Sequence, residues 1–293
     1  MTMVADTAAF VLLNGLIFGA LLALTAVGLS LIFGVLGVPN FAQGEFAAIA
    51  GFATVGLLQG GLGLLPAAAI GLVLAFLLGV LAERLVIAPL YGRENFLLLS
   101  FFASFGLVLI SQNVLREVFG GFSQIPAPDL GSVVILSSRL SLLRVAAGLV
   151  ALILLVALYL YTRYTYVGLA MRAVADDREG AEMLGIDYER ISTITFGVGA
   201  VLTGFSGVLY GMLFTIFPTL GVTLTAFAFT IVVVGGIGSF RGVIVASLLV
   251  GVVDSFTATV VGSQWRFFAI FAVLFVVLTA RPSGLWGEQN VRY

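Results

Sequence analysis

Residues 8–38 read AAFVLLNGLIFGALLALTAVGLSLIFGVLGV, a run with no charged side chain that stops at Pro39 and Asn40. A helix that is apolar all round must be buried in protein or in lipid, and crossing a bilayer takes about 20 mostly apolar residues. This run exceeds one crossing. Moving outward from it, comparable runs occupy Phe41 to Leu58, Leu64 to Val86, Phe96 to Leu115 and Leu142 to Tyr161. Four more follow at Ile191 to Phe217, Leu220 to Ile237, Val243 to Val261 and Phe267 to Ala280. The expectation is an all-α integral membrane protein, a polytopic transmembrane helix bundle of about 8–10 segments. The first run is too long for an h-region and no charged n-region precedes it, so no separate signal peptide is expected.

Composition agrees and excludes much else. Of 293 residues, 61% are hydrophobic and 9% charged, against about 25% charged in a soluble domain. The 36 glycines fall largely inside apolar runs, where small residues let membrane helices approach backbone to backbone. All 13 basic residues are Arg, and His and Cys are absent. That removes the P-loop lysine, Schiff-base lysines, disulfides, the commonest metal and haem ligands, and histidine general catalysis. No catalytic residue, cofactor site or metal site is expected in the chain. A net charge of −1 leaves no basic patch for nucleic acid.

Arginine placement sets the orientation, because short cytoplasmic loops are enriched in positive charge. Arg84, Arg93, Arg163, Arg172, Arg178, Arg190, Arg241, Arg281 and Arg292 fall on one side, and Arg116, Arg139, Arg144 and Arg266 on the other. The larger group is read as cytoplasmic, with the N-terminus outside and the C-terminus inside. Residues 116–141, with Pro126, Pro128 and Asp129, then form an extracytoplasmic loop, and residues 1–293 form one transmembrane domain.

The cytoplasmic stretch 163–190 concentrates ten charged residues in a chain that elsewhere avoids them. Its length suits one short helix: Ala170, Val174, Ala181 and Leu184 recur at helical spacing, Arg172 with Asp176 and Arg178 with Glu182 form oppositely charged i,i+4 pairs, and Gly185 is a stop. It reads either as an ordinary solvated loop helix or as a docking surface for a soluble partner.

The run GLAMRAVADDREGAEMLGIDYERISTITFGVGAVLTGFSGVLYG (Gly168 to Gly211) resembles the coupling loop and following helix of the permeases of branched-chain amino acid ABC importers. NGLIFGALLALTAVGLSLIFGVLGVPNFAQGEF (Asn14 to Phe46) is similar to that family's opening helix and N-F-A-H-G-E signature. GGIGSFRGVIVASLLVGVVDSF (Gly235 to Phe256) is similar to its Gly-rich turn and penultimate helix. The resemblance implies a transport subunit, not an enzyme, forming half of a two-permease pore with a second homologous permease. It implies two cytoplasmic ABC ATPase subunits, which bind the ATP and Mg, and an extracytoplasmic solute-binding protein; lipid surrounds the chain. The coupling residues it points to are Arg172, Ala173, Asp176, Asp177, Arg178, Glu179, Ala181, Glu182, Leu184 and Gly185. Relatives carry branched-chain or other amino acids, urea or short amides, so the pattern fixes the family more firmly than the substrate. Two departures stand out: the signature His is Gln43 here, and Arg241 follows Ser239-Phe240 in the Gly-rich turn. A neutral amide cannot serve a proton-driven role at position 43.

The signature has its own physical reading. Pro39 disfavours helix at Val38 and lacks a backbone donor, so Val38-Pro39-Asn40 interrupts a membrane helix. Freed backbone groups survive at membrane depth only where protein or a water-filled cavity satisfies them. Asn40, Phe41, Gln43 and Glu45 then either line a substrate pathway or brace its wall; alternatively the break lies at the cytoplasmic interface and they cap a helix. Asp254 is the other intramembrane acid. It contacts a substrate ammonium or a partner's Arg, or it is held structurally by Ser255, Thr257 or backbone. Glu45 and Asp254 are also the acids that a rival reading, an ion-coupled secondary transporter, would need. A carboxylate-based membrane enzyme is weaker, because no two acids share one helical face inside the membrane. GGIGSFRG lacks the strand and Lys of a phosphate loop and reads as a tight helix-to-helix turn. Gly15 with Gly19 and Gly207 with Gly211 read as helix-packing pairs.

Overall fold

The computed structural model describes residues 2–135 and 138–286; Arg292 and residues 136–137 of the external loop lie outside the described residues. Every expected apolar segment is a helix. In chain order these are α1 (Thr2–Leu36), α2 (Glu45–Gln59), α3 (Leu64–Ala82) and α4 (Phe96–Phe119). A hairpin of β1 (Ser132–Ile135) and β2 (Ser138–Ser141) leads into α5 (Leu142–Tyr164), α6 (Tyr166–Asp176), α7 (Arg178–Met183) and α8 (Tyr188–Leu213). The chain continues through α9 (Leu220–Gly235), α10 (Phe240–Phe256) and α11 (Arg266–Ala280). Among the described residues, seven helical stretches are long and apolar enough to span a membrane. The two short apolar helices are α2 and α9. The segments Phe41 to Leu58 and Leu220 to Ile237 are therefore not full crossings, which corrects the reading from hydropathy.

α1 is the axis of the bundle. Residues 18–30 are all buried, because α1 packs against α10 on one side and α8 on another. A methyl at Gly15 would lie 2.6 Å from the Val252 Cα of α10, and one at Gly28 would lie 2.7 Å from the Gly199 carbonyl oxygen of α8. Gly207 meets Ala47 of α2, and Gly211 packs on Ile125 and Ile216, so both expected glycine pairs serve close packing. α1 and α8 are antiparallel: Phe18 meets Tyr210 and Phe214, the Ser206 Oγ donates to the Leu21 carbonyl oxygen at 2.9 Å, and Gly28 faces Gly199.

Two halves of the chain share one order of elements in opposite directions. α1 ends, the backbone turns back at Gly37 (φ +70) and Pro39, and the half-length α2 starts midway up α8. α8 ends, residues 214–219 with Pro218 turn back, and the half-length α9 starts beside the start of α2. α3 and α10 follow these half-helices and each closes in a π-turn, Glu83–Ile87 and Thr257–Val261. Broken helices in opposed repeats are how transporters place backbone polarity at the membrane middle.

The arginine partition agrees with the structure. Residues 163–190 share one end of the bundle with Tyr91, Arg241 and the start of α8, and the C-terminal segment returns there, where the Leu285 amide donates to the Val234 carbonyl oxygen. This end is called inner. α1 begins at the outer end, with Arg144 and Arg266 nearby. The outer loop is pinned by paired Ser123 and Ile216 backbones, 2.7 and 2.9 Å, which seat Ile125 and Ile216 in the core. At the inner end, Gly236 (φ +99) and Gly238 (φ +78) form the tight turn expected of GGIGSFRG, and the Ser239 Oγ accepts from the Gly242 amide at 3.2 Å.

Candidate substrate pathway and coupling surface

The signature folds as a braced turn deep in the bundle. The Asn40 Oδ1 accepts from the Ala42 amide at 3.0 Å, closing a side-chain turn, and the Asn40 Nδ2 donates to the Gln43 Oε1 at 3.1 Å. The Gln43 Nε2 donates to the Gly199 carbonyl oxygen at 3.1 Å and to the Thr203 Oγ1 at 2.6 Å. Gly199 and Thr203 lie near the middle of α8, so the break is not at the cytoplasmic interface. Asn40 and Gln43 join the turn to α8 through these bonds. Both are buried.

Substituting Gln43 tests this bracing. Gln43→Leu leaves the Thr203 hydroxyl and the Asn40 amide short of a partner, each such loss costing about 1–3 kcal/mol. Gln43→His is expected to cost much less, since one ring nitrogen donates toward Thr203 while the other accepts from Asn40. Thermal unfolding of both variants in one detergent checks the order; equal losses would contradict it.

Glu45 begins α2 where the half-helices meet. The Gly44 amide donates to the Thr225 Oγ1 at 2.8 Å, and the Glu45 carboxyl packs on Gly221 in the first turn of α9. Both half-helices point their positive ends here. Glu45 is buried and accepts from the Ser111 Oγ at 3.0 Å and the Gln112 Nε2 at 3.3 Å, both on α4. Glu45 also lies in the wall of a cavity of about 490 Å³ between α2, α3 and α4, beside Phe46, Ile49, Leu78, Leu107 and Leu115. On the other side of the turn, Phe41 stacks on Phe229 at 4.5 Å and lines an apolar cavity of about 300 Å³ between α4, α9 and α11. An apolar cavity with one carboxylate suits an aliphatic molecule bearing an ammonium group. Ser111 and Gln112 were not among the residues expected from the sequence.

Asp254 does not join this site. Near the outer end of α10 it forms a bidentate pair with Arg266 at the start of α11, with the Nε donating to Oδ1 at 2.7 Å. The partner is an Arg of the same chain. The Thr257 Oγ1 donates instead to the Val253 carbonyl oxygen at 2.7 Å.

The coupling stretch is two helices rather than one, because Asp177 is extended (φ −153, ψ 104) between α6 and α7. The Thr165 Oγ1 caps α6 by accepting from the Gly168 amide at 3.1 Å, and Asp187 caps α8 in the same way. Ala170, Met171, Val174 and Ala181 are buried. Arg178 and Glu182 pair at 3.0 Å as expected. Arg172 does not pair with Asp176; its guanidinium reaches the Arg163 carbonyl oxygen at 3.3 Å. Leu184 lies 84% exposed beside Met183 at 86%, where α7 ends. Gly185 takes φ +85 and stops α7. Arg172, Asp176, Asp177, Arg178, Glu179 and Glu182 are exposed around this apolar pair, and Ala173 is half-buried.

Opposed half-helices around a buried carboxylate, seven spanning stretches and a folded inner loop define a multi-pass membrane permease. Residues 11–279 match the family described as branched-chain amino acid transport system / permease component, and the chain belongs to that family. It is 32% identical, over 96% of each chain, to the high-affinity branched-chain amino acid transport system permease protein BraD of Pseudomonas aeruginosa. It is 29% identical, over 95% of each, to LivH of Escherichia coli, which has the same descriptive name. In fold it resembles PsaBC from Streptococcus pneumoniae, solved in complex with a Fab, with a TM-score of 0.50 and 12% identity over 92% of this chain and 91% of that one. It is thus a multi-pass inner-membrane subunit of an ABC importer.

Proposed function

We propose that this chain is one half of a two-permease pore importing branched-chain amino acids. The observation that carries the reading is Glu45, a buried acid in the wall of an almost wholly apolar cavity. Glu45 receives the ammonium group and the aliphatic walls receive the side chain. A second homologous permease completes the pore, an extracytoplasmic solute-binding protein delivers substrate to the outer end, and two ABC ATPases bind ATP and Mg. Those ATPases dock on α6 and α7, where Met183 and Leu184 stand exposed among charges. Closure of the ATPase dimer moves α6 and α7, and the half-helices α2 and α9 shift with α8 and α1. Substrate crosses without chemical change, and the chain itself hydrolyses nothing.

The test is uptake in proteoliposomes containing the purified transporter and its solute-binding protein. Leucine, isoleucine or valine is expected to stimulate ATP hydrolysis and accumulate. Glu45→Gln, which keeps shape and removes charge, is expected to cost about 10–100-fold in transport, the worth of one charge-assisted hydrogen bond. Uptake of urea or short amides in place of amino acids would overturn the substrate. Accumulation driven by an ion gradient without ATP would overturn the coupling.

A further inference from the structure

Glu83 is wholly buried where α3 passes into its π-turn, and no mechanism above uses it. Its polar contacts are hydroxyls drawn from other elements. The Tyr91 hydroxyl donates to Oε1 at 3.0 Å, the Ser192 Oγ donates to the same oxygen at 2.9 Å, and the Thr193 Oγ1 donates to Oε2 at 2.7 Å. The Tyr91 and Ser192 oxygens lie 2.6 Å apart. Burial raises the Tyr91 phenol well above its ordinary range, so it remains a donor at any physiological pH. The Tyr91 ring meets the Tyr188 ring edge to face at 5.1 Å. Over Tyr188 lies the Arg178 guanidinium of α7, 3.6 Å from the ring centroid, well inside cation–π range. Arg178 is held from its other side by Glu182.

The series Arg178, Tyr188, Tyr91, Glu83 thus joins three elements. α7 is tied to α8 covalently through a short loop, but nothing in the sequence ties either of them to α3. The buried carboxyl does so, gripping Ser192 and Thr193 of α8 from the end of α3. Both helices then reach the substrate turn: α3 packs through Gly71 on Ala50 and Thr54 of α2, and α8 holds Gln43.

We propose that Glu83, Tyr91 and Tyr188 are positioning residues that lock α7, α8 and the inner end of α3 into one body, so that displacement of α7 at Arg178 is delivered to both helices flanking α2. The proposal rests on the reading of α6 and α7 as the coupling surface, and its first test is independent of that reading. The chain has no cysteine, so spin labels introduced at Met183→Cys and Leu85→Cys, both exposed, report one distance in the full chain in lipid nanodiscs. A single narrow distance is expected in the parent and in Tyr166→Phe, whose ring lies outside the network. It is expected to be lost in Glu83→Leu and in Tyr91→Phe, which keeps the ring and removes only the hydroxyl. An unchanged distance distribution in Tyr91→Phe would overturn the proposal, even if Glu83→Leu fails to fold.

The second test uses the assembled transporter. Glu83→Leu and Tyr91→Phe are expected to lower substrate moved per ATP by about tenfold, within the range seen for residues along a coupling network. Hydrolysis and the KM for substrate are expected to hold, and Glu83→Gln, which still accepts hydrogen bonds, to recover part of the loss. Parallel loss of hydrolysis and transport would indicate a merely structural role and overturn the proposal. If no ATPase assembles on the wild-type chain, the importer reading fails while the spin-label distance still decides the lock.

Discussion

Valine in place of Gly44 is expected to leave no folded protein. Gly44 ends the signature turn where the first turns of α2 and α9 cross, and its amide donates to Thr225. A Cβ at this position would fall on the Gly221 carbonyl oxygen and 2.7 Å from the Thr225 Oγ1. Overpacking a core where side chains can adjust costs about 1–3 kcal/mol. Here the obstacle is the backbone of a neighbouring helix, so no rotamer relieves it. Separating the half-helices would also pull the buried Glu45 carboxyl from Ser111 and Gln112 and leave buried polar groups without partners. Gly44→Ala should already lower the unfolding midpoint strongly. Gly106 in α4, where a Cβ meets nothing within 4 Å, is the control: Gly106→Ala should stabilise by about 0.5–1 kcal/mol through helix propensity. Size-exclusion profiles and thermal unfolding of the three variants in one detergent check the order. A monodisperse Gly44→Val protein with the parent's midpoint would show that the half-helices do not meet as described.

The crossing also marks where hydropathy stopped being informative. Apolar runs located every membrane helix, because lipid and buried protein both demand apolar side chains. The same equivalence hid the lengths of α2 and α9. Both are largely covered by neighbouring helices that take the place of lipid, so Phe41 to Leu58 and Leu220 to Ile237 look like crossings. Pro39 was readable as a break because polar residues follow it. Pro218 has the same chemistry but is followed by a single polar residue, Thr219, before the apolar run resumes at Leu220, and its meaning depends on the contact between Gly44 and Thr225, 181 residues apart in sequence.

The site was legible where polarity interrupts an apolar run and illegible where a helix face decides. Asn40, Gln43 and Glu45 announce themselves by position, although only the fold separates the hydrogen-bonded Asn40–Gln43 pair from the buried Glu45 at the cavity wall. Ser111 and Gln112 sit at the end of an apolar stretch and look like ordinary interfacial residues until α4 is laid beside α2. Glu83 stands shortly before Ala88-Pro89, where a carboxylate is unremarkable, yet its burial is complete. Asp177 is a polar residue inside a helical spacing, so the division of 163–190 into two helices was not readable, whereas its extended backbone separates α6 from α7 in the structure.

Arg266→Ala is expected to destabilise the chain more than Asp254→Ala, and the double substitution less than either. Breaking a buried ion pair by removing one member costs about 3–5 kcal/mol, because the other is left without compensation. The two members are not equally trapped. The Asp254 side chain is 3% exposed and short, while the Arg266 side chain is 36% exposed at the outer end of α11. Without Asp254, Arg266 can extend its stem toward the headgroups, although it gives up its position 5.6 Å over the Phe18 ring. Without Arg266, Asp254 keeps a carboxyl among helices with no route to water. Removing both leaves a void but no stranded charge, so the cycle is expected to show strong coupling between the sites. Thermal unfolding of the four proteins measures it. Since the pair joins α10 to α11 far from Glu45, the singles should impair transport only in step with stability. Loss of uptake in Asp254→Ala with an unchanged midpoint would instead place Asp254 on the substrate route and make Arg266 its regulator.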